Sequence, residues 1–277
     1  MAPKILPVIG AFLLLGGCAD GNPWFGLAAS SRLQQPSQTL TRAAPSPGPG
    51  ETLVNTAPIR RISLVVLHSE ATLQLLIKSR KVTLQSPDDF ILQSRRLEKT
   101  LSLDNSDWVF VGYGVTVPAL GWDDYQNRDM HGKTVIMLAG APSIPDGTQV
   151  SSQAALRHPV ALNLGHWRTK FDNAQRHGAA LAIILHDPKI EGVGYDRLLE
   201  FRDVVMAAPA QEAPETLMAF GWMPEVRAAN WLKRAGVHWD TLKRKAGMAN
   251  FSPIDLPIQS HLQMANRWRE MDITVPE

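Results

Sequence analysis

Apolar and polar positions follow two rhythms along this chain, and the change between them sorts it into elements. Residues 62–67 (ISLVVL) form an aliphatic, β-branched run too short for a helix, which predicts a buried strand. Residues 73–77 and 82–85 flank the polar Lys78-Ser79-Arg80-Lys81, which predicts a hairpin. Pro87-Asp88-Asp89 marks a turn. Residues 108–113 (WVFVGY) and 134–138 (TVIML) read as core strands, the second reached through a Gly132-Lys133 turn. The period then lengthens: Trp167, Phe171 and Ala174 recur at helical spacing, Arg176 and His177 suit a helix C-terminus, and Gly178 ends it. A buried strand over 180–185 (ALAIIL) follows at once. Residues 224–235 predict a helix with Pro224 and Glu225 in its first turn, Arg234 in its last and Gly236 behind it. A shorter helix runs over 240–246, with Asp240 as its N-cap and Gly247 after it. Ile258, Leu262 and Met264 share one face of a period-two run, a late strand. Strands interleaved with helices, without internal repeats, predict an α+β fold.

The N-terminal fifth obeys neither rhythm. Lys4 precedes an apolar run over residues 5–15, of signal-peptide length and short for a bilayer span. Leu15-Gly16-Gly17-Cys18 follows, and it resembles a bacterial lipoprotein lipobox, cut before Cys18 with that residue carrying the lipid. Several acyl chains on one cysteine anchor far more stably than one. Residues 1–17 are therefore expected to be a lipoprotein signal peptide, and Cys18 the lipidation site. Residues 18–57 are rich in Pro, Ser, Gln, Ala and Gly, ending in Ala43-Ala44-Pro45-Ser46-Pro47-Gly48-Pro49-Gly50. Such a stretch buries too little apolar surface to offset its ordering entropy, so it reads as a flexible tether reaching ~35 Å r.m.s.. The folded part is expected over 58–270, with 271–277 as a C-terminal tail. The expected location is the bacterial cell envelope, anchored to a membrane and facing the periplasm or the exterior.

Charge and cysteine content remove several classes of function. The formal net charge is +2 in 277 residues. Lys and Arg are scattered, Arg95-Arg96 being followed by Glu98 and Lys243-Arg244-Lys245 reading as a solvated helix face, so no nucleic-acid surface is expected. A single cysteine excludes an internal disulfide and a thiolate zinc cage.

One part of the chain resembles a known family. Residues 107–115 (DWVFVGYGV), Pro118, 121–125 (GWDDY) and 129–135 (DMHGKTV) match, in order, a stretch of bacterial zinc aminopeptidases. So do 167–174 (WRTKFDNA), 178–184 (GAALAII) and Phe220-Gly221-Trp222 with the two helices after it. The resemblance is to the protease-associated (PA) domain inserted into the catalytic domain of those enzymes, and covers roughly 60–270. It implies a β-rich PA-like domain, sandwich or open barrel, with packed helices. It also implies a peptide or protein partner, since PA domains are thought to influence substrate access or protein contacts. In the family, chemistry lies outside this region, at a zinc pair held by a His-x-Asp motif, a bridging Asp, a Glu-Glu dyad and later Asp and His residues. This chain contains no Glu-Glu pair, and Ile273-Thr274-Val275 stand where the family's sequences enter the catalytic domain. The expectation is a chain with no catalytic residue, metal site or cofactor of its own. The alternative is a truncated or split N-terminal part of a zinc-dependent aminopeptidase whose catalytic domain is on another chain.

Other constellations have ordinary explanations. His238-Trp239-Asp240 has the His-x-Asp spacing, but lies between two helices where Asp240 serves as an N-cap. Asp123-Asp124 and Asp88-Asp89 read as turn residues accepting backbone hydrogen bonds, since a calcium site wants six or more oxygens. Gly112-Tyr113-Gly114 lacks the spacing and the helix of a dinucleotide fingerprint. No Gly-x-Ser-x-Gly elbow or P-loop occurs, and no two of the eight histidines stand four apart on a helix. Tyr113, Trp122, Tyr125, Trp167 and Trp222 adjoin glycines or turns, and are the candidate partner-binding residues because Tyr and Trp are enriched at hot spots. Packing of the edges of the core is the reading the residues favour for them.

Overall fold

A computed structural model describes residues 59–118, 121–143, 164–207 and 217–276. All of these fall in one contact unit, Leu53–Glu277. The signal peptide, Cys18 and the tether lie outside the described residues. The strands are β1 (Ile59–Ile77), β2 (Arg80–Gln85), β3 (Ile91–Gln93), β4 (Thr100–Phe110), β5 (Thr116–Val117), β6 (Trp122–Asp123), β7 (Thr134–Leu138), β8 (Leu181–His186), β9 (Val204–Ala207), β10 (Ala219–Pro224) and β11 (Ile254–Pro276). The helices are α1 (Trp167–Arg176), α2 (Pro188–Glu191), α3 (Tyr195–Leu199), α4 (Glu225–Ala235) and α5 (Trp239–Ala246). Among the described residues, nine strands form one mixed sheet in the order β2-β1-β11-β4-β7-β8-β10-β3, with β9 also on β1, while β5 and β6 pair separately. The sheet curls enough for β3 to lie against β1. The result is a mixed, sheet-rich α+β fold.

One half of the sheet is a long antiparallel ribbon. β1 and β11 pair without interruption from Ile59↔Pro276 to Ile77↔Ile258. Period-two burial explains the run: Val65, Leu67, Ala71, Leu73, Leu75 and Ile77 all face the core. The sequence pattern breaks at His68-Ser69-Glu70, where the strand continues. Ser69 takes the inward position there and its hydroxyl donates to Asn266 Oδ1 at 2.8 Å, while Asn266 Nδ2 donates to the carbonyls of Glu98 and Arg96 at 2.9 and 3.3 Å. A satisfied polar pair can occupy a core position that an unpaired one could not. The expected tail at 271–277 is likewise corrected, since 271–276 are the end of β11 and find β1 opposite them. The hairpin at 73–85 is present, with Lys78 and Ser79 as its two turn residues at φ 47° and 66°, the left-handed conformation that a two-residue hairpin demands.

The other half is parallel. β4, β7, β8 and β10 run side by side in one direction, and every residue of β7 and β8 is buried. Parallel strands need both faces covered. On one face Phe171 of α1 packs on Phe220 and Trp222, with ring centroids 4.9 and 5.5 Å apart. On the other, Ala228, Leu232 and Ala235 of α4 and Leu242 and Ala246 of α5 join a cluster with Leu181, Ile183, Leu185 and Met223. Asp240 is not the N-cap of α5. The cap position falls on His238, and Asp240 sits in the first turn, where its charge complements the helix dipole.

Candidate functional site

The carboxyl ends of parallel strands are where α/β sheets gather chemistry, and here they gather buried charge. Beyond β4 the chain turns through Gly112-Tyr113-Gly114, with φ +67° at Gly114, where an added Cβ would lie 2.7 Å from Met137 Sδ. Lys170, fully buried on the inward face of α1, reaches this turn. Its Nζ donates to the carbonyls of Tyr113 at 2.5 Å and Leu138 at 2.9 Å. One helical turn on, Asn173 Nδ2 donates to the Gly114 carbonyl at 3.1 Å. Asp124 closes the same turn from the other side, accepting the backbone N–H groups of Tyr113 and Val115 at 3.1 and 3.0 Å and the Trp122 indole N–H at 2.9 Å.

Burial dominates the electrostatics of this knot. Desolvation raises the Asp124 carboxyl to about 6, against the opposing pull of the Val115 N–H, the Trp122 indole, Lys170 and the Tyr113 N–H. Desolvation likewise lowers the Lys170 ammonium to about 7, with Asp124 and Glu191 pulling it back up. Perturbed acid and base side by side are a common mark of function. Chemically, though, this pair is committed to the backbone: a fully buried Nζ held by two carbonyls offers no atom to a substrate in this conformation. What it does is lock the end of β4, the end of β7 and α1 together.

A second buried pair lies at the end of β8. His186 Nδ1 hydrogen-bonds the Glu191 carboxylate, the Tyr195 ring stands 5.9 Å away, and His186 Nε2 has no partner among the described residues. Tyr195 donates its hydroxyl to the Pro87 carbonyl at 3.2 Å, and its burial raises it well above an ordinary phenol. Among the described residues, no group of three or more His, Cys, Asp or Glu converges as a metal site would require.

The five aromatic candidates separate into two groups. Trp122 packs with Val115, Val117 and Leu164, and Tyr113 bridges that cluster and the main core. Tyr125 is fully buried and stacks on His177 with centroids 4.1 Å apart. On α1, Trp167 is half-buried against Trp222 and Phe171 at 5.9 and 6.1 Å. Trp222 stands mid-strand in β10 rather than at a turn. Trp122, Tyr125 and Trp222 are therefore interior side chains, and the five do not line a common groove; packing is the reason they stand beside glycines. Gly221 shows why: a Cβ there would fall 1.9 Å from the Ile91 carbonyl oxygen, so only glycine lets β3 pair with β10. Both aspartate pairs behave as turn residues. Asp123 accepts the Tyr125 and Asn127 N–H groups at 3.0 and 3.1 Å, and Asp89 accepts the Gln85 N–H and meets Arg227, each at 3.1 Å.

Lys170, Asn173, His186 and Glu191 were not singled out from the sequence. A signal existed for the first, because Lys170 interrupts the apolar stripe of Trp167, Phe171 and Ala174 and must point inward with it. For the His186–Glu191 pair there was none. No protein-family model matches the chain, and no curated protein matches it.

Proposed function

We propose that this chain is a non-catalytic interaction module, PA-like in fold, held at a bacterial envelope membrane through a lipid on Cys18. The observation that carries the reading is where the resemblance residues go. Gly112-Tyr113-Gly114, Asp124, Lys170 and Asn173 all meet in one buried lock whose hydrogen bonds end on the backbone and on the Trp122 indole. Residues spent this way build a scaffold for binding, their donors and acceptors taken up inside the fold. A second support is the ribbon: Ile59 pairs with Pro276, so the domain's two ends leave it side by side, as an inserted domain requires. That same geometry favours the second reading, a split aminopeptidase part whose metal-bearing domain is supplied by another chain.

The test has two arms. The purified chain is expected to bind no stoichiometric zinc and to leave aminoacyl anilides uncleaved; zinc-dependent turnover would overturn the module reading. Cys18→Ala is expected to release the protein from membranes, and retention at the wild-type level would defeat the lipid anchor. Activity that appears only on adding a second polypeptide carrying the Glu-Glu dyad would favour the split enzyme.

A further inference from the structure

We propose that the outward face of α4 is a docking groove for an acidic peptide segment of a partner protein, an inference that rests on the interaction-module reading and gives that partner a chemistry. Charge is unevenly placed. Residues 225–246, the α4–α5 pair, carry six basic and two acidic side chains, a net +4 in a chain whose total is +2, so the remainder is net negative. The face is concave, a cavity of about 610 Å³ lined by Arg227, Asn230, Trp231, Lys233 and Arg234. Positions 227, 230, 231 and 234 are the i, i+3, i+4, i+7 stripe of one helix surface.

The lining suits a carboxylate. Arg234 lies over the Trp231 ring, 4.6 Å from its centroid, which orients a guanidinium toward the groove. Lys233 and Arg234 are exposed and have no carboxylate partner among the described residues, whereas Lys243 of α5 is already held by Glu225 at 2.8 Å. The Trp231 indole N–H is buried without an acceptor among the described residues, so a carboxylate reaches it only where the side chains over it shift. Cations in the last turn of a helix complement its dipole, which accounts for Lys233 and Arg234. It does not account for the concavity or the unanswered indole, and Arg227 near the other end of α4 is already paired with Asp89 at 3.1 Å. A groove favours a chain of side chains over a flat lipid surface, and an Arg–Trp floor is typical of protein contacts.

The full chain in neutral detergent would be titrated with a fluorescent Glu-rich peptide and with its Gln counterpart. The expected result is about tenfold tighter binding of the Glu peptide, weakening as salt rises. Lys233→Glu with Arg234→Glu should abolish that preference, while Arg80→Glu with Lys81→Glu on the β2 hairpin should preserve it. Trp231→Phe, which keeps an aromatic face under Arg234 and removes the N–H, should weaken the Glu peptide alone; circular dichroism verifies that each variant is folded. Equal affinity for the two peptides, or a preference that survives the α4 reversal, overturns the proposal. Binding of anionic vesicles in place of the Glu peptide overturns it too. Reversal-insensitive binding of neutral peptides would sink the groove yet leave the module reading standing, while zinc-dependent turnover would sink that reading alone.

Discussion

The antiparallel ribbon and the parallel half of the sheet belong to one sheet but are stabilised differently. In the ribbon, β1 and β11 present one face to the core and the other to solvent, with Gln259, Gln263 and Glu70 on the open side. Most of its polar residues face water, and the inward ones, Ser69 with Asn266 and Ser260 beside Thr134, are uncharged. In the parallel half, β7 and β8 are buried on both faces, and the chain still carries Lys170, Asp124, His186 and Glu191 into that interior. Where water covers one face, alternation suffices. Where helices cover both, the strand ends leave carbonyl and N–H groups that something must satisfy, and here Lys170, Asp124 and Asn173 do it.

If the comparison is right, the parallel half should respond most to losing a charge. Lys170→Ala removes the donor to Tyr113 and Leu138 and leaves Asp124 without its buried counter-charge, and should cost about 3–5 kcal/mol in denaturant unfolding. A cost no larger than that of a surface substitution would show the lock to be dispensable. The ribbon's corresponding test is apolar: Leu262→Ala, at a fully buried position, should cost about 3 kcal/mol, while its exposed neighbour Gln263→Ala should stay within about 0.5 kcal/mol.

The pH dependence sharpens the contrast. A carboxyl raised to about 6 when folded binds its proton more tightly than in the unfolded chain. Its contribution is therefore most favourable below the unfolded value of ~3.9, and stability is lost as pH rises from there to about 6. Lys170 acts in the opposite sense: its ammonium, lowered to about 7, costs stability at and below that pH, and the cost fades as pH climbs toward the ordinary lysine value. Asp124→Asn should remove the acidic limb, amounting to roughly 2–3 kcal/mol, from a plot of stability against pH; an unchanged limb would mean that another group produces it. The smallest effect belongs to the ribbon's turn, where Ser79→Gly at φ 66° should raise stability by up to about 1 kcal/mol.

Much of the architecture was legible beforehand. The 134–138 strand matches β7, and the helices at 167–176 and 224–235 and the hairpin at 73–85 were placed within a residue or two. Each rests on a local rhythm or a capping residue. The errors share a different origin. The sequence reading ends its first strand at residue 67 and sets 271–277 apart as a tail, but β11 pairs with β1 through His68-Ser69-Glu70 and out to Pro276. The aromatics were read as flanking turns, but strand pairing carried Trp222 into the interior. The lock is half legible: Asp123-Asp124 read as acceptors of backbone N–H groups, whereas the carbonyls that hold Lys170, at Tyr113 and Leu138, lie 57 and 32 residues away along the chain.

Periodicity specified the 134–138 strand, the 73–85 hairpin and the helices at 167–176 and 224–235, because side-chain direction follows from backbone geometry over a few residues. The single cysteine and the missing Glu-Glu pair are also plain in the chain itself. Folding in three dimensions decided what lies opposite what: β1 with β11 over their full lengths, Lys170 with two carbonyls, and His186 with Glu191. Those pairings join residues far apart along the backbone or depend on water being excluded from both faces of a sheet, and no local pattern encodes either condition.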